Sequence, residues 1–295
     1  MNAEILTSTA MRPAQSLTPP DFAVPEGACD SHVHVFTPGA EYPSVSRPHY
    51  TLPDGPVGKL LDMARHLSLR NLVIVQPSFY GTDNRCMLDA LRVIGPRARG
   101  VAMVGEDCTL ETLHGLHAEG VRALRLDLFS RSHLPTRELI GYIERTWALV
   151  RQVNWHLQFY TPGWVVRDLL PFLAEFDATY VIDHMGYMLE SDGLTSGDFD
   201  RLLKVIESGT GWIKLSGPYR IAKDGNFDRL IPLAQAIIAA APERVVWGSD
   251  WPHIPDGGKD TGQILNLLSR WAPDSDTREA ILSKNPARLF DFGIP

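Results

Sequence analysis

Short apolar, β-branched runs recur along the chain and alternate with stretches of helical period. The runs are ACDSHVHVF (28–36), LRNLVIVQP (69–77), ARGVAMV (98–104), VRALRLDL (121–128), NWHLQFY (154–160), TYVIDHM (179–185), GWIKLSG (211–217) and RVVWGSDW (244–251). Each has the length of a buried strand and is followed by turn residues and then a helix-period segment. In PTRELIGYIERTWALVRQV, the residues Leu139, Ile140, Ile143, Trp147 and Val150 are spaced for one helix face. The segments near 163–176, 196–208 and 226–240 read similarly, and Gly120 sits where a helix would end before the fourth strand. Eight strands alternating with helices predict an α/β fold, a (β/α)8 TIM barrel, rather than a doubly wound sheet. The first strand runs into HVHVFTPG, and no GxGxxG or Walker A pattern occurs. Residues 1–24, polar, Pro-rich and ending near TPPDFAVPEG, read as an extended N-terminal arm. Residues 25–295 then form a single barrel domain.

Composition narrows the function. The 295 residues carry 28 Lys+Arg against 35 Asp+Glu, a formal net charge of -7. That balance disfavours nucleic acid and anionic membranes as partners, since both call for a basic face. No apolar run approaches the ~18 residues that span a bilayer. The N-terminus lacks a basic start and a continuous apolar core, so no secretory signal is expected. Cys29, Cys86 and Cys108 are odd in number and form no CxxC, which fits reduced thiols in a cytoplasmic protein.

Barrel active sites form at the C-terminal ends of the strands. Strand one ends in Asp30-Ser31-His32-Val33-His34, whose histidines at i and i+2 share one side. Further ends supply Gln76-Pro77-Ser78, Arg125 and Asp127 with Arg131 beyond, Tyr160, Asp183-His184, Tyr219-Arg220 and Asp250-Trp251-Pro252-His253. A lone HxH could be a half-exposed edge pair, and Asp250 alone could cap a turn. Polar residues at most of the eight ends make chance a poor account of the set. Asp183 stays ambiguous between pairing near His184 and satisfying backbone. His114 and His117, at i and i+3 on a predicted helix, read as solvated surface residues, and His49, His66 and His133 carry no pattern. His156 shares a strand face with Tyr160 but lies ~13 Å lower, near the barrel floor.

With these residues placed, the chain resembles the amidohydrolase superfamily, in particular its 2-pyrone-4,6-dicarboxylate lactonase-like branch. The motifs that carry the resemblance are DSHVHVF (30–36), VIVQPSFYGTDN (73–84), RALRLDLFSR (122–131), VIDHMG (181–186) and VVWGSDWPH (245–253). The likeness runs from about residue 25 to NPARLF at 285–290. It implies a hydrolase that opens a carboxylated lactone in aromatic-compound breakdown. Asp250 would be the general base that activates water. His32, His34 and His184 would surround and polarise the lactone carbonyl. Arg125, Arg131 and Arg220 would hold substrate carboxylates, and Tyr50, Ser78, Tyr160 and His253 would complete the substrate contacts. Ester hydrolysis needs a base within reach of water and donors aimed at the oxyanion, and guanidinium forks match carboxylates. A bland alternative for Arg125 is an interstrand ion pair inside the barrel. Under the substrate reading, Arg220→Met should weaken dicarboxylates and spare neutral lactones.

The resemblance also bears on metal. Two-metal members bridge their ions with a modified lysine on the fourth strand, where VRALRLDL has none, and Tyr160 replaces a fifth-strand histidine. The expectation is that no metal is required, although His32, His34, His184 and Asp250 could hold a single Zn²⁺. Other hydrolases of the branch imply alternatives: a zinc-dependent sugar-lactone or sulfomuconolactone hydrolase, or a metal-dependent decarboxylase. A non-catalytic binding module is the remaining class, and it leaves Asp250 among three histidines unexplained. The partner expected is a small carboxylated lactone, with no nucleic acid and no membrane; the oligomeric state stays open, an oligomer included. A cationic barrel mouth is compatible with an acidic protein, because binding answers to the local field.

Overall fold

The computed structural model describes residues 17–37, 41–45, 52–53, 55–188, 194–255 and 257–293. Eight strands pair in parallel in the order β1 to β8: β1 Cys29–Val33, β2 Asn71–Val75, β3 Ala98–Ala102, β4 Val121–Asp127, β5 His156–Tyr160, β6 Tyr180–Ile182, β7 Gly211–Ser216 and β8 Val245–Gly248. Helices α1 Val57–His66, α2 Arg85–Ile94, α3 Leu110–Ala118, α4 Thr136–Val150, α5 Gly163–Leu173 and α6 Ser196–Ser208 each follow one of the first six strands. The seventh crossover holds a short α7, Pro218–Ile221, and then α8, Ile231–Ala240. After β8 come α9 Thr261–Trp271, α10 Ser275–Glu279 and α11 Asn285–Leu289. This is the (β/α)8 arrangement that the alternation predicts.

Each predicted apolar run contains one strand, because a strand covered on both faces needs a continuous apolar sequence. In α4 the buried residues are Leu139, Ile143 and Val150, with Ile140 and Trp147 half-buried beside them. Helix starts follow local chemistry: Thr109 caps α3 on the Thr112 amide, and Thr195 and Asp198 form a reciprocal capping box on α6. Inside the barrel, Cys29, Val73, Val75, Val101 and Ala123 form an apolar floor against Phe290 and Phe292.

The ring closes between β8 and β1 through polar contacts. The Asp250 amide donates to His32 O and the His34 amide to Trp251 O, each at 2.8 Å. Asp30 adds a side-chain clasp, its Oδ1 accepting the Ser249 amide at 2.8 Å and the His32 amide at 3.2 Å. Gly248 permits this approach, since a Cβ there would lie 2.6 Å from His32 Cβ. Closure thus brings the HxH pair against the Asp250 loop. Residues 17–24 run along α9, with Thr18 bonded to Asp260 and Asp21 to Asn266; the rest of the predicted arm, 1–16, lies outside the described residues.

Candidate active site

His32 ends in the barrel beside Asp250. Its Nε2 lies 3.7 Å from Asp250 Oδ1, and His34 Nε2 lies 3.5 Å from the same oxygen. All three residues are buried. His34 Nδ1 meets the Val75 carbonyl at 2.7 Å. A carbonyl oxygen only accepts, so Nδ1 carries a hydrogen, and the tautomer that this bond selects turns a bare Nε2 toward Asp250. His32 Nε2 and Asp250 Oδ1 have no hydrogen-bond partner.

The other carboxylate oxygen of Asp250 is occupied. Tyr219 donates its hydroxyl to Oδ2 at 2.6 Å, and Arg220 donates through Nε to the same atom. Burial works against the Asp250 charge, but the Arg220 guanidinium beside it holds its carboxyl well below the usual range. Asp250 therefore stays ionised, with Oδ1 as its open face.

His184 sits beyond β6 in the left-handed region, φ 53°, and its Nδ1 lies 2.9 Å from Ser216 Oγ on β7. Gly217 makes room, because a Cβ there would lie 2.7 Å from that Nδ1. The His184 ring is 4.9 Å from that of His32. Burial pushes His184 down to about 4 and His32 well below its ordinary value, so both are neutral at pH 7. Asp250 and His253 also have positive φ, 63° and 68°. Three non-glycine residues in this region at one site mark a backbone shaped by its surroundings rather than by local preference.

Arg125 points into the barrel from β4. It donates to Gln76 O at 2.9 Å and Ser78 Oγ at 3.1 Å, with its guanidinium 4.3 Å from the Tyr160 ring centre. Among the described residues no carboxylate pairs with it, which leaves the interstrand ion pair without a partner. Tyr160 also packs on Phe129 at 4.5 Å and edge-on to His184 at 6.1 Å. His253 is buried, its ring 5.7 Å from Tyr219 and its Nε2 3.5 Å from Thr261 Oγ1. Burial pushes it down to about 4. Arg131 stacks over Tyr142 of α4, 4.5 Å from the ring centre, and no contact joins it to the histidines. Tyr50 and His49 lie outside the described residues. His117 accepts a hydrogen bond from Trp155 Nε1 at 2.9 Å, so it is a structural partner rather than a solvated one, whereas His114 is exposed.

Three participants escaped the sequence reading, and a fourth, Tyr219, was placed at a strand end without a role. Tyr219 and Ser216 hold the base and a histidine, while Lys214 and Gln158 meet Asp183 beneath His32. The signal was present: Lys214 is a lysine inside an apolar strand run, and it shares the parity of Ser216.

The chain matches the family described as Amidohydrolase over residues 29–292. It belongs to the amidohydrolase family. Among its relatives is a 4-sulfomuconolactone hydrolase of Rhizobium radiobacter, 34% identical over 283 residues and covering 94% of each chain. A 2-pyrone-4,6-dicarboxylate hydrolase of Comamonas testosteroni is 33% identical over 285 residues, 92% of each chain. The crystal structure of a protein named a probable 2-pyrone-4,6-dicarboxylic acid hydrolase, from Acinetobacter baumannii with citric acid bound, superposes with TM-score 0.76 at 29% identity, covering 90% of this chain and 100% of that one.

The ligand atoms of His32, His34 and Asp250 lie within 4.8 Å of one another, and those of His32, Asp183 and His184 form a second such group. The upper group fits a single ion well: His34 Nε2 is a bare lone pair, and His32 Nε2 and Asp250 Oδ1 are buried without partners. No helix among the described residues is long and apolar enough to cross a membrane.

Proposed function

We propose that this amidohydrolase opens a carboxylated lactone of the 2-pyrone-4,6-dicarboxylate type by hydrolysis. The observation that carries the reading is the unpartnered Oδ1 of Asp250, buried against the neutral His32 and His184, with the cationic Arg220 on its other oxygen. A water lodged at Oδ1 would donate one hydrogen to the carboxylate and the other to the bare Nε2 of His34, leaving an oxygen lone pair aimed at the ester carbon. Asp250 takes the proton as the C–O bond forms, then returns it to the ring oxygen as the ring C–O bond breaks. His184 polarises the carbonyl: with the Ser216 hydroxyl donating to Nδ1, its hydrogen sits on Nε2, where it can donate to the oxyanion. Arg125, Arg220 and Arg131 are assigned to the substrate carboxylates, with Ser78, Tyr160, His253 and Tyr50 as further contacts. Arg125 has an uncompensated charge, and Tyr160 offers a flat aromatic face to a planar ring.

Turnover on this reading needs no metal. Were one ion bound, His32, His34 and Asp250 would hold it, with His184 beside them, and it would supply Lewis-acid polarisation and a more acidic water. That second reading, a zinc-dependent hydrolase of a sugar lactone or a sulfomuconolactone, is favoured by the convergence of lone pairs on one point. The deciding experiment is acid release from 2-pyrone-4,6-dicarboxylate, 4-sulfomuconolactone and a neutral lactone, with and without chelator, beside metal analysis of the purified protein. Chelator-resistant opening of the dicarboxylate supports the first reading. Stoichiometric zinc with zinc-restored turnover supports the second, and inertness toward every lactone removes both. The described cysteines are all free, which supports the cytoplasmic setting, and the contacts of residues 17–24 support reading 1–24 as an arm on a 25–295 barrel.

A further inference from the structure

The proposed hydrolysis makes no use of Lys214, although this lysine stands at the centre of the barrel. It lies within β7 with no exposed side-chain surface. Its Nζ donates to Gln158 Oε1 at 2.9 Å and sits 3.3 Å from both Asp183 Oδ1 and His32 Nδ1. Gln158 completes the circuit by donating Nε2 to Asp183 Oδ2 at 3.0 Å. Beneath the ammonium lies the Phe290 ring, 5.9 Å away, and the next layer is apolar.

An ion pair here is not what barrel filling requires. Burying an ammonium and a carboxylate is unfavourable, and apolar side chains of similar volume fill such space at least as well. The pair is nonetheless charged. Ammonium and carboxylate lie 3.3 Å apart with no solvent exposure on either side chain, and Gln158 bonds to both. What distinguishes the place is His32, whose Nδ1 lies 3.4 Å from Asp183 Oδ1 and whose Nε2 faces Asp250. The group His32, Asp183 and His184 has the spacing of a cation site. The ammonium stands against two of its three members.

We propose that Lys214 is the resident cation of this lower group and a positioning residue for His32. It neutralises Asp183, which Gln158 orients, and Asp183 then fixes the lower edge of the imidazole so that Nε2 stays turned toward Asp250 Oδ1. This rests on the reading of Asp250 Oδ1 as the seat of the attacking water, which His32 Nε2 faces from 3.7 Å. Lys214 itself touches no substrate.

Two variants test it: Lys214→Met, which removes the charge at near-constant volume, and Asp183→Asn/Lys214→Met, which leaves no unpaired charge. A pair that serves only stability is replaceable by its neutral counterpart, with melting temperature and activity both retained. A pair that positions His32 is not. We expect the double variant to fold with a melting temperature near that of the wild type, kcat to fall about 10- to 100-fold as for other supporting contacts of reactive groups, and KM to stay within about threefold. Should Lys214→Met alone fail to fold, the double variant decides. Wild-type kcat in either folded variant, a loss confined to KM, or failure of the double variant to fold would each overturn the proposal. A wild-type protein inert toward all lactones would remove the hydrolase reading and this role together, whereas an active wild type with unaffected variants removes only the role of Lys214.

Discussion

Arg220 donates through Nε to Oδ2 of Asp250, while Oδ1 of the same carboxylate receives no hydrogen bond. One guanidinium thereby orients the proposed base, and its terminal nitrogens are the ones assigned above to a substrate carboxylate. The two tasks are coupled, since an anion drawn to Arg220 shares its charge with Asp250 and makes Oδ1 more basic. Because Arg220→Met also removes the contact that orients the base, it should reduce kcat about 10- to 100-fold on neutral lactones as well, the scale of a lost hydrogen bond to a charged group. The sequence alone suggested that neutral lactones would be spared. Steady-state kinetics on a charged and a neutral lactone separate the two, and unchanged neutral-lactone kcat would mean that Arg220 only binds.

Asp250→Asn keeps the shape of the side chain and leaves Oδ2-side hydrogen bonding largely in place, but it removes the proton acceptor. The expected loss in kcat is about 10²- to 10⁴-fold, with lactone binding retained by calorimetry. Near-normal turnover would transfer the base role to a histidine, for which His34 Nε2 is best placed at 3.5 Å from Oδ1.

Barrel architecture was legible because each strand is covered on both faces, so a short continuous apolar run is what the fold demands. The same logic placed His32, His34 and Arg125 correctly on inward positions. It failed where the chain leaves regular geometry. His184 and Asp250 lie beyond β6 and β8 with φ of 53° and 63°, so strand parity does not say which way they point. Lys214 went unread for a different reason: an ionic group in an apolar run is visible only as an exception, and its partners Asp183 and Gln158 come from two other strands' neighbourhoods. Tyr219 was overshadowed by Arg220 next to it, since nothing local reveals that both reach one carboxylate oxygen.

Ser216 tests the tautomer of His184. Its hydroxyl is 2.9 Å from Nδ1, and Ser216→Ala leaves that nitrogen without its partner. A neutral hydrogen bond contributes about 0.5–1.5 kcal/mol, so kcat should fall about 2- to 12-fold with KM unchanged. Wild-type kcat in this variant would show that His184 does not rely on Ser216 to present its hydrogen.

Acid stability offers a test away from the chemistry. Burial pushes His156, on the barrel floor against Phe290, down to about 3, and His184 and His253 down to about 4. For His156 the Lys214 charge pushes the same way and Asp183 opposes it. A histidine whose folded pKa lies below its unfolded value of 6.5 is protonated first in the unfolded chain. Its stabilising contribution is present above pH 6.5 and is lost as pH falls toward the folded pKa, at about 1.4 kcal/mol per unit for each such group. Asp30, pushed up to about 7 by burial, has the opposite slope: its contribution is complete below pH 3.8 and is lost as pH rises toward 7. These three histidines and His32, which burial also pushes well below its ordinary value, act against one carboxyl and give a net loss of stability between pH 6.5 and 4. His156→Leu should flatten that loss, so that its melting temperature gains on the wild type as pH falls across this window. Parallel melting curves from pH 7 to 4 would show that His156 titrates normally and is not sealed in the barrel.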